Sequence, residues 1–309
     1  MDMEKIKNLV TESYNKYKYF QEGKNASYIP FLSQVNSDLC SMSVITTDGE
    51  LISIGDDKFK FAIESISKVC TLALVMEEIG AKEVRKKLGT SPTGLPFDSI
   101  MALELHKDKP LSPLVNAGAI ATTSLVNAEN KDMRWNKILE MQKKFMDNEI
   151  KLSEEVNRSE QNTNFHNRAI SWLLYAANQI YCDPMVACEI YTRQCSTLVS
   201  SIELAKMAGT LANKGINPVT KEKVIEERNV PYILAEMTME GMYEGSGDFA
   251  YLVGLPGKSG VGGGIIAVVP GKLGIATFSP KLDSRGNSIR GQKMIKHFTD
   301  KLGVNIYNL

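Results

Sequence analysis

Phe61-Ala62-Ile63-Glu64-Ser65-Ile66-Ser67-Lys68-Val69-Cys70-Thr71-Leu72 is the stretch on which the fold turns. Upstream, Lys58-Phe59-Lys60-Phe61-Ala62-Ile63 alternates with period 2, as a strand does. Downstream, Ile66, Val69, Leu72, Ala73, Met76 and Ile79 recur at helical spacing, with no breaker before Gly80. The spacing predicts a long helix from Ser65. Residues three apart share a helix face, which brings the Lys68 amine towards the Ser65 hydroxyl. A hydroxyl is a weak nucleophile near neutral pH, and a neutral amine beside it can take its proton. Unpaired backbone N–H groups in the first helical turn are also suited to holding an oxyanion. The same Ser-x-x-Lys unit equally describes a serine cap followed by a solvated lysine, so these four residues alone decide nothing.

Composition narrows the field. Lys+Arg and Asp+Glu each number 36, and this zero net charge argues against a nucleic-acid or anionic-membrane binder. No apolar run approaches the ~20 residues that span a bilayer. Met1-Asp2-Met3-Glu4-Lys5-Ile6-Lys7 mixes charges and lacks the apolar segment of a signal peptide, which predicts a cytoplasmic protein. The five cysteines (Cys40, Cys70, Cys182, Cys188, Cys195) are scattered and odd in number, as reduced thiols are. His106, His166 and His297 have no metal-ligand spacing, so no metal is expected. Gly260-Val261-Gly262-Gly263-Gly264 leads into a strand-like run rather than a helix and fails the dinucleotide pattern. No cofactor is expected.

Residues 4–21 read as an amphipathic helix, and residues 43–54 as a hairpin turning at Asp48-Gly49. From about 68 to 215 the chain is mainly helical. One helix carries Trp135, Ile138, Leu139, Phe145 and Met146, and another spans Arg168 to Tyr181. A third begins at the cap Asp183-Pro184, and a capping box, Ser200-x-x-Glu203, opens a fourth. The charged run from Lys143 to Arg158 reads as a solvated helix end and loop. Strands are predicted at 249–253, 264–269 and 273–279, the last two joined by Pro270-Gly271-Lys272, and a helix at about 288–302 closes the chain. The order strands, helices, strands predicts an α+β fold with an antiparallel sheet flanked by helices. Residues 1–68 and 215–309 would form a discontinuous sheet subdomain and 69–214 an all-helical one, with the active site between them.

Lys258-Ser259-Gly260, just before the strand at 264–269, is a second basic motif. With Ser65-x-x-Lys68 it resembles the paired motifs of the penicillin-recognising serine enzymes, which implies a β-lactamase/DD-peptidase-like fold. Longer strings resemble the serine-dependent glutaminases: Pro113-Leu114-Val115-Asn116-Ala117-Gly118-Ala119-Ile120, Gly241-Met242-Tyr243, the run from Val253 to Val261, and Ser279 to Ser288. The resemblance covers about Tyr28 to Ser288. It implies hydrolysis of L-glutamine to glutamate and ammonia through a glutamyl ester on Ser65, with Lys68 as its base. It further implies that Tyr191 assists proton transfer and that Tyr28 and Tyr243 line the pocket. Asn116, Glu160 and Asn167 would hold the amino-acid end of the substrate, and the Val261 backbone N–H would complete an oxyanion hole with that of Ser65. Lys258 would stand beside Lys68 and lower its proton affinity. A homo-oligomer, dimer or tetramer, is implied as well. Two departures stand out. Glu64 occupies a position where other members carry Gln, and Gln161 to His166 replaces the Asp-Arg expected before the asparagine.

The pocket chemistry agrees, because a free amino acid needs an anion for its ammonium and neutral donors for its carboxylate. Individually, these residues also have ordinary readings. Asn167 could cap the helix at 168, Glu160 could be a solvated loop carboxylate, and Asn116 could merely start a small-residue helix. The three tyrosines could be half-buried core residues. The alternatives in function are another serine acyl-hydrolase of this fold, β-lactamase or esterase-like, and a non-catalytic ligand-binding relative.

Overall fold

The hairpin predicted at Asp48-Gly49 is present: β1 (Ser41–Thr46) and β2 (Leu51–Gly55) pair antiparallel, and Gly49 turns at φ +101°. The computed structural model describes residues 2–107 and 109–308. Along the chain follow β3 (Phe61–Ala62), β4 (Leu198–Val199), β5 (Gly257–Ser259), β6 (Gly264–Val269) and β7 (Leu273–Phe278). The main sheet runs β2-β1-β7-β6-β5, and β3 pairs with β4 separately. Because β7 lies directly against β1, with Ser43 opposite Ala276, the two ends of the chain meet in one sheet.

The sheet is covered on both faces, which explains why its strands read as continuous apolar runs rather than clean alternation. Met42, Val44, Ile265, Ala267 and Ile275 pack with Ile6, Val10, Met294 and Phe298 of the helices Met3–Tyr17 and Ile289–Leu302. Ile45, Ile266, Val268 and Ala276 face the other way, towards Leu204, Met207 and Ala208. Those three residues belong to the helix Ser201–Ala212, which the sequence division groups with the helical part, yet it lies on the sheet. Two glycines permit this, since a Cβ on Gly274 would collide with the backbone of Ala208 and Gly209.

The remaining helices of this region include Asn116–Leu125, Lys131–Phe145, Glu154–Gln161, Phe165–Ala176 and Pro184–Cys195. Asp183 caps the last of these through Met185 and Val186, and the Ser200–Glu203 capping box is complete. Several boundaries depart from expectation. The first helix stops at Tyr17, and the helix expected from Arg168 begins at Phe165 and ends at Ala176. The charged run to Arg158 already contains the start of the helix Glu154–Gln161, capped by Ser153. Residues 249–253 are not a strand. They form the end of the helix Ser246–Leu252 and its cap Val253, where Phe249 and Val253, one turn apart, are buried while Tyr251 and Leu252 face solvent. The strand at Lys58–Ile63 shrinks to Phe61–Ala62, because its partner β4 offers only two residues.

Candidate active site

The junction that opened the sequence is sharper than a simple strand-to-helix step. Ser65 lies in a 3₁₀ turn, Glu64–Ile66, and the α-helix proper runs from Ser67 to Ile79. Glu64 enters that turn at φ +52°, a left-handed conformation unusual for a side chain of its size. The turn puts Ser65 at the base of the site, 5% exposed and near Tyr243, whose hydroxyl donates to the Ser259 carbonyl at 3.3 Å.

Lys68 follows in the first helical turn and is 1% exposed. Its Nζ donates to Asn116 Oδ1 at 2.8 Å and to the Leu114 carbonyl at 3.4 Å. Asn116 is the hub of the site. Its Oδ1 also accepts from the Tyr191 hydroxyl at 3.0 Å, its Nδ2 donates to Asn167 Oδ1 at 3.0 Å, and its backbone N–H donates to the Phe97 carbonyl at 2.8 Å. Burial brings the Lys68 amine down to about 8, with Cys195, Glu64 and other acidic groups pulling partly the other way. A lysine so placed is uncharged in part near neutral pH.

Lys258 arrives from β5, fully buried. It donates to the carbonyls of Gly241 (3.0 Å) and Ser259 (2.7 Å), and its ammonium lies 4.3 Å from the centre of the Tyr243 ring. Burial and then the Lys68 charge depress its proton affinity well below the ordinary lysine range. The mutual effect expected of the two lysines therefore acts on Lys258, while burial does most of the work on Lys68.

Opposite the lysines, Glu160 sits on the helix Glu154–Gln161 and is buried, not in a polar loop. Its Oε1 accepts from Ser196 Oγ at 3.1 Å, and the buried Glu64 carboxyl is its neighbour. Asn167 is half-buried inside the helix Phe165–Ala176 rather than capping it, so its amide is free to meet Asn116. Tyr191 and Tyr243 are buried, and burial raises both phenols above the usual range. Tyr28 differs: 56% of its surface is exposed, although its hydroxyl is raised by desolvation and by the nearby Glu64, Tyr243 and Glu160. It stands at the rim. Tyr28, Phe97 and Val261 also line an adjoining cavity of about 550 Å³.

Gly260 and Gly262 bring the segment around Val261 onto the turn. A Cβ on Gly260 would meet the Ile63 carbonyl at 2.7 Å and the Ser65 nitrogen at 3.3 Å. Among the described residues, neither the Ser65 nor the Val261 backbone N–H donates to a protein acceptor. Free backbone donors of this kind, on segments packed against each other, are what an oxyanion requires.

All ten residues singled out in the sequence thus converge on one region. Three contributors carried no motif of their own: Ser196 against Glu160, Phe97 against both Tyr243 (ring centres 4.6 Å apart) and Asn116, and Asn287, which binds Ser259 Oγ and the Met242 carbonyl. Asn287 falls within the Ser279–Ser288 string, where an asparagine after Arg285-Gly286 is the available signal.

The comparisons with known proteins agree with one another. The family model described as Glutaminase matches residues 23–307. A protein named Glutaminase from Escherichia coli O81 (strain ED1a) is 58% identical over 307 residues, covering 99% of each chain. The solved structure of the probable glutaminase ybaS has a TM-score of 0.99 and 58% identity, and covers the whole of both chains. The probable glutaminase from Bacillus subtilis complexed with 6-diazo-5-oxo-L-norleucine has a TM-score of 0.87 and 29% identity, and covers 98% of this chain and 96% of its own. The expected β-lactamase-like fold is the one these structures share.

Proposed function

This chain belongs to the glutaminase family and hydrolyses L-glutamine to L-glutamate and ammonia, and we propose that it does so through a glutamyl ester on Ser65. The observation that carries the mechanism is the buried Lys68, its amine brought down to about 8, one helical turn from a hydroxyl flanked by two free backbone N–H groups. Lys68 takes the Ser65 proton as Oγ attacks the side-chain amide carbon of glutamine. The backbone N–H groups of Ser65 and Val261 hold the resulting oxyanion. Lys68 returns the proton to the departing ammonia, with Tyr191 linked to it through Asn116 Oδ1. Water then hydrolyses the ester by the reverse sequence. Lys258, buried in the same site, takes the cost of the lysine–lysine repulsion, and burial keeps Lys68 low.

Recognition falls to side chains from both walls. Glu160 takes the α-ammonium, while the amides of Asn116 and Asn167 and the hydroxyls of Tyr28 and Tyr243 take the α-carboxylate. A pocket of such partners rejects substrates that leave them unpaired. The segments 1–68 with 215–309, and 69–214, are the two walls of this cleft. We read the protein as a cytoplasmic homo-oligomer, dimer or tetramer, which light scattering checks directly.

Ser65→Ala tests the central claim. It should abolish ammonia release yet leave the fold and glutamine binding nearly intact, because the hydroxyl forms the covalent bond and contributes little to holding the amino-acid end. A glutamine-like diazoketone should modify Ser65 in the parent protein. Normal turnover by the alanine variant, or labelling of a cysteine instead, would remove Ser65 from the nucleophile's role.

A further inference from the structure

Glu64 is the buried group that this mechanism leaves without a task. It is 3% exposed, held in a left-handed turn directly before Ser65, and packed under Gly260 and Gly262. Its Oε1 is buried, and among the described residues no N–H or O–H donor reaches it. The neighbour of its carboxyl is the Glu160 carboxyl, which is buried as well. Two ionised carboxylates are acceptors only, so they can share a hydrogen bond only when one of them carries a proton. Two bare charges in such a buried contact would each lack compensation.

We propose that Glu64 is a proton-carrying positioning residue: it donates to Glu160, so the pair holds one proton and one negative charge. The inference rests on the glutaminase reading and deepens it in two ways. A single negative charge matches the single α-ammonium of the substrate. A neutral Glu64 also adds no negative charge beside Lys68, whose amine must be free of its proton to act as a base.

Which partner carries the proton follows from the surroundings. Glu160 already accepts from Ser196 Oγ, which favours its charged form, whereas Glu64 has no donor. Burial and then the Glu160 charge hold Glu64 protonated well above the ordinary carboxylate range. The other groups that sense it are Lys68 from the helix that follows it, Tyr191 and Cys195 from the helix Pro184–Cys195, Tyr28 at the rim, and Tyr243 from the turn Tyr243–Gly245. Of these only Lys68 is cationic. Its attraction opposes the proton on Glu64, and the Glu160 charge outweighs it because it is in direct contact.

The sign of the pH effect follows. As pH rises and the pair loses its proton, Glu64 becomes an anion. Lys68 then keeps its own proton to higher pH, and an unpaired charge faces the substrate's carboxylate. Both effects lower kcat/KM on the alkaline side. Glu64→Gln, a permanently neutral group of the same shape, removes that ionisation.

Carbon-13 NMR of glutamate-labelled protein reads the proton directly, without reference to activity. At pH 7 the parent should show a carboxyl resonance in the protonated range that Glu64→Gln lacks. The comparison is needed because burial also raises Glu160 to about 7, Glu236 to about 8 and Glu240 to about 7. In Glu160→Gln the Glu64 resonance should titrate at lower pH, since the neighbouring charge is gone. The alkaline limb of kcat/KM should move up by ~1 pH unit in Glu64→Gln. The proposal is overturned if no protonated resonance disappears in that variant, or if it disappears and the alkaline limb stays where it was. Failure of the parent to hydrolyse glutamine would instead overturn the glutaminase reading, with the NMR comparison still deciding the shared proton.

Discussion

Lys68 shows how much of the site depends on surroundings that a residue cannot announce in sequence. Its place in Ser-x-x-Lys marks it as a candidate base, but the burial that makes an amine a base comes from Asn116, Leu114 and Tyr191, which lie 46 to 123 positions away along the chain. With that amine brought down to about 8, it is protonated below that pH and free above it. The logarithm of kcat/KM should therefore climb with unit slope through the acid range and level off near pH 8. A guanidinium cannot lose its proton in this range, so Lys68→Arg should lose at least ~10³-fold in kcat. An arginine variant with most of its activity, or a flat acid limb, would assign the base to another group. Glu160 is the opposite lesson. A glutamate among Asn157, Arg158, Ser159, Gln161 and Asn162 has every local mark of solvent exposure, and only the packing of its helix against Ser196 and Glu64 buries it. Family resemblance found it because local chemistry could not.

Elements were legible where their ends carry chemistry. The Asp48-Gly49 turn, the Asp183 cap and the Ser200–Glu203 box each have a local cause, and each stands where the spacing puts it. Residues 249–253 were not, because five apolar residues fit a strand and a helix equally well until their neighbours decide. The actual edge strand is β5, whose Gly257-Lys258-Ser259 has none of the usual strand residues; it is held by β6 and by the bond from the Ser259 N–H to the Gly241 carbonyl. The packing of the helix Ser201–Ala212 on the sheet was also hidden, since nothing local marks Gly209 and Gly274 as partners. Gly274→Ala would place a methyl group into the Gly209 backbone, which cannot yield as a flexible side chain can. We expect a loss of at least ~2 kcal/mol in urea unfolding, at the upper part of the usual range for overpacking. Gly271→Ala, at a turn with nothing nearby to strike, isolates the cost of backbone conformation, because Gly271 turns at φ +72° whereas Gly274 has no positive φ. A negligible loss at Gly274 would mean that the helix–sheet contact yields and does not set the cost.

At the scale of the whole molecule, the site exists only if the chain's two ends are joined. Ser65 follows β3 near the start, whereas Val261 and Lys258 come from the segment that enters β6, and β1 and β7 must pair to bring these together. One buried side chain ties this closure. Arg290, fully buried at the start of the last helix, donates through Nε to Ser279 Oγ at 2.7 Å, through Nη1 to the carbonyls of Lys18 (2.9 Å) and Asp38 (3.3 Å), and through Nη2 to that of Ser37. A planar fork of donors suits this cluster, and a lysine ammonium could not reach all of it at once. Arg290→Ala would leave several buried acceptors unpaired, each at a cost of ~1–3 kcal/mol, and would add a cavity. The expected loss is therefore at least ~3 kcal/mol, far more than a surface substitution produces. Because the clamp holds together the strands that assemble the site, activity and far-ultraviolet circular dichroism should disappear at the same, lowered urea concentration. An unchanged midpoint would show that the clamp is dispensable, and activity lost well before ellipticity would show that the two ends part without global unfolding.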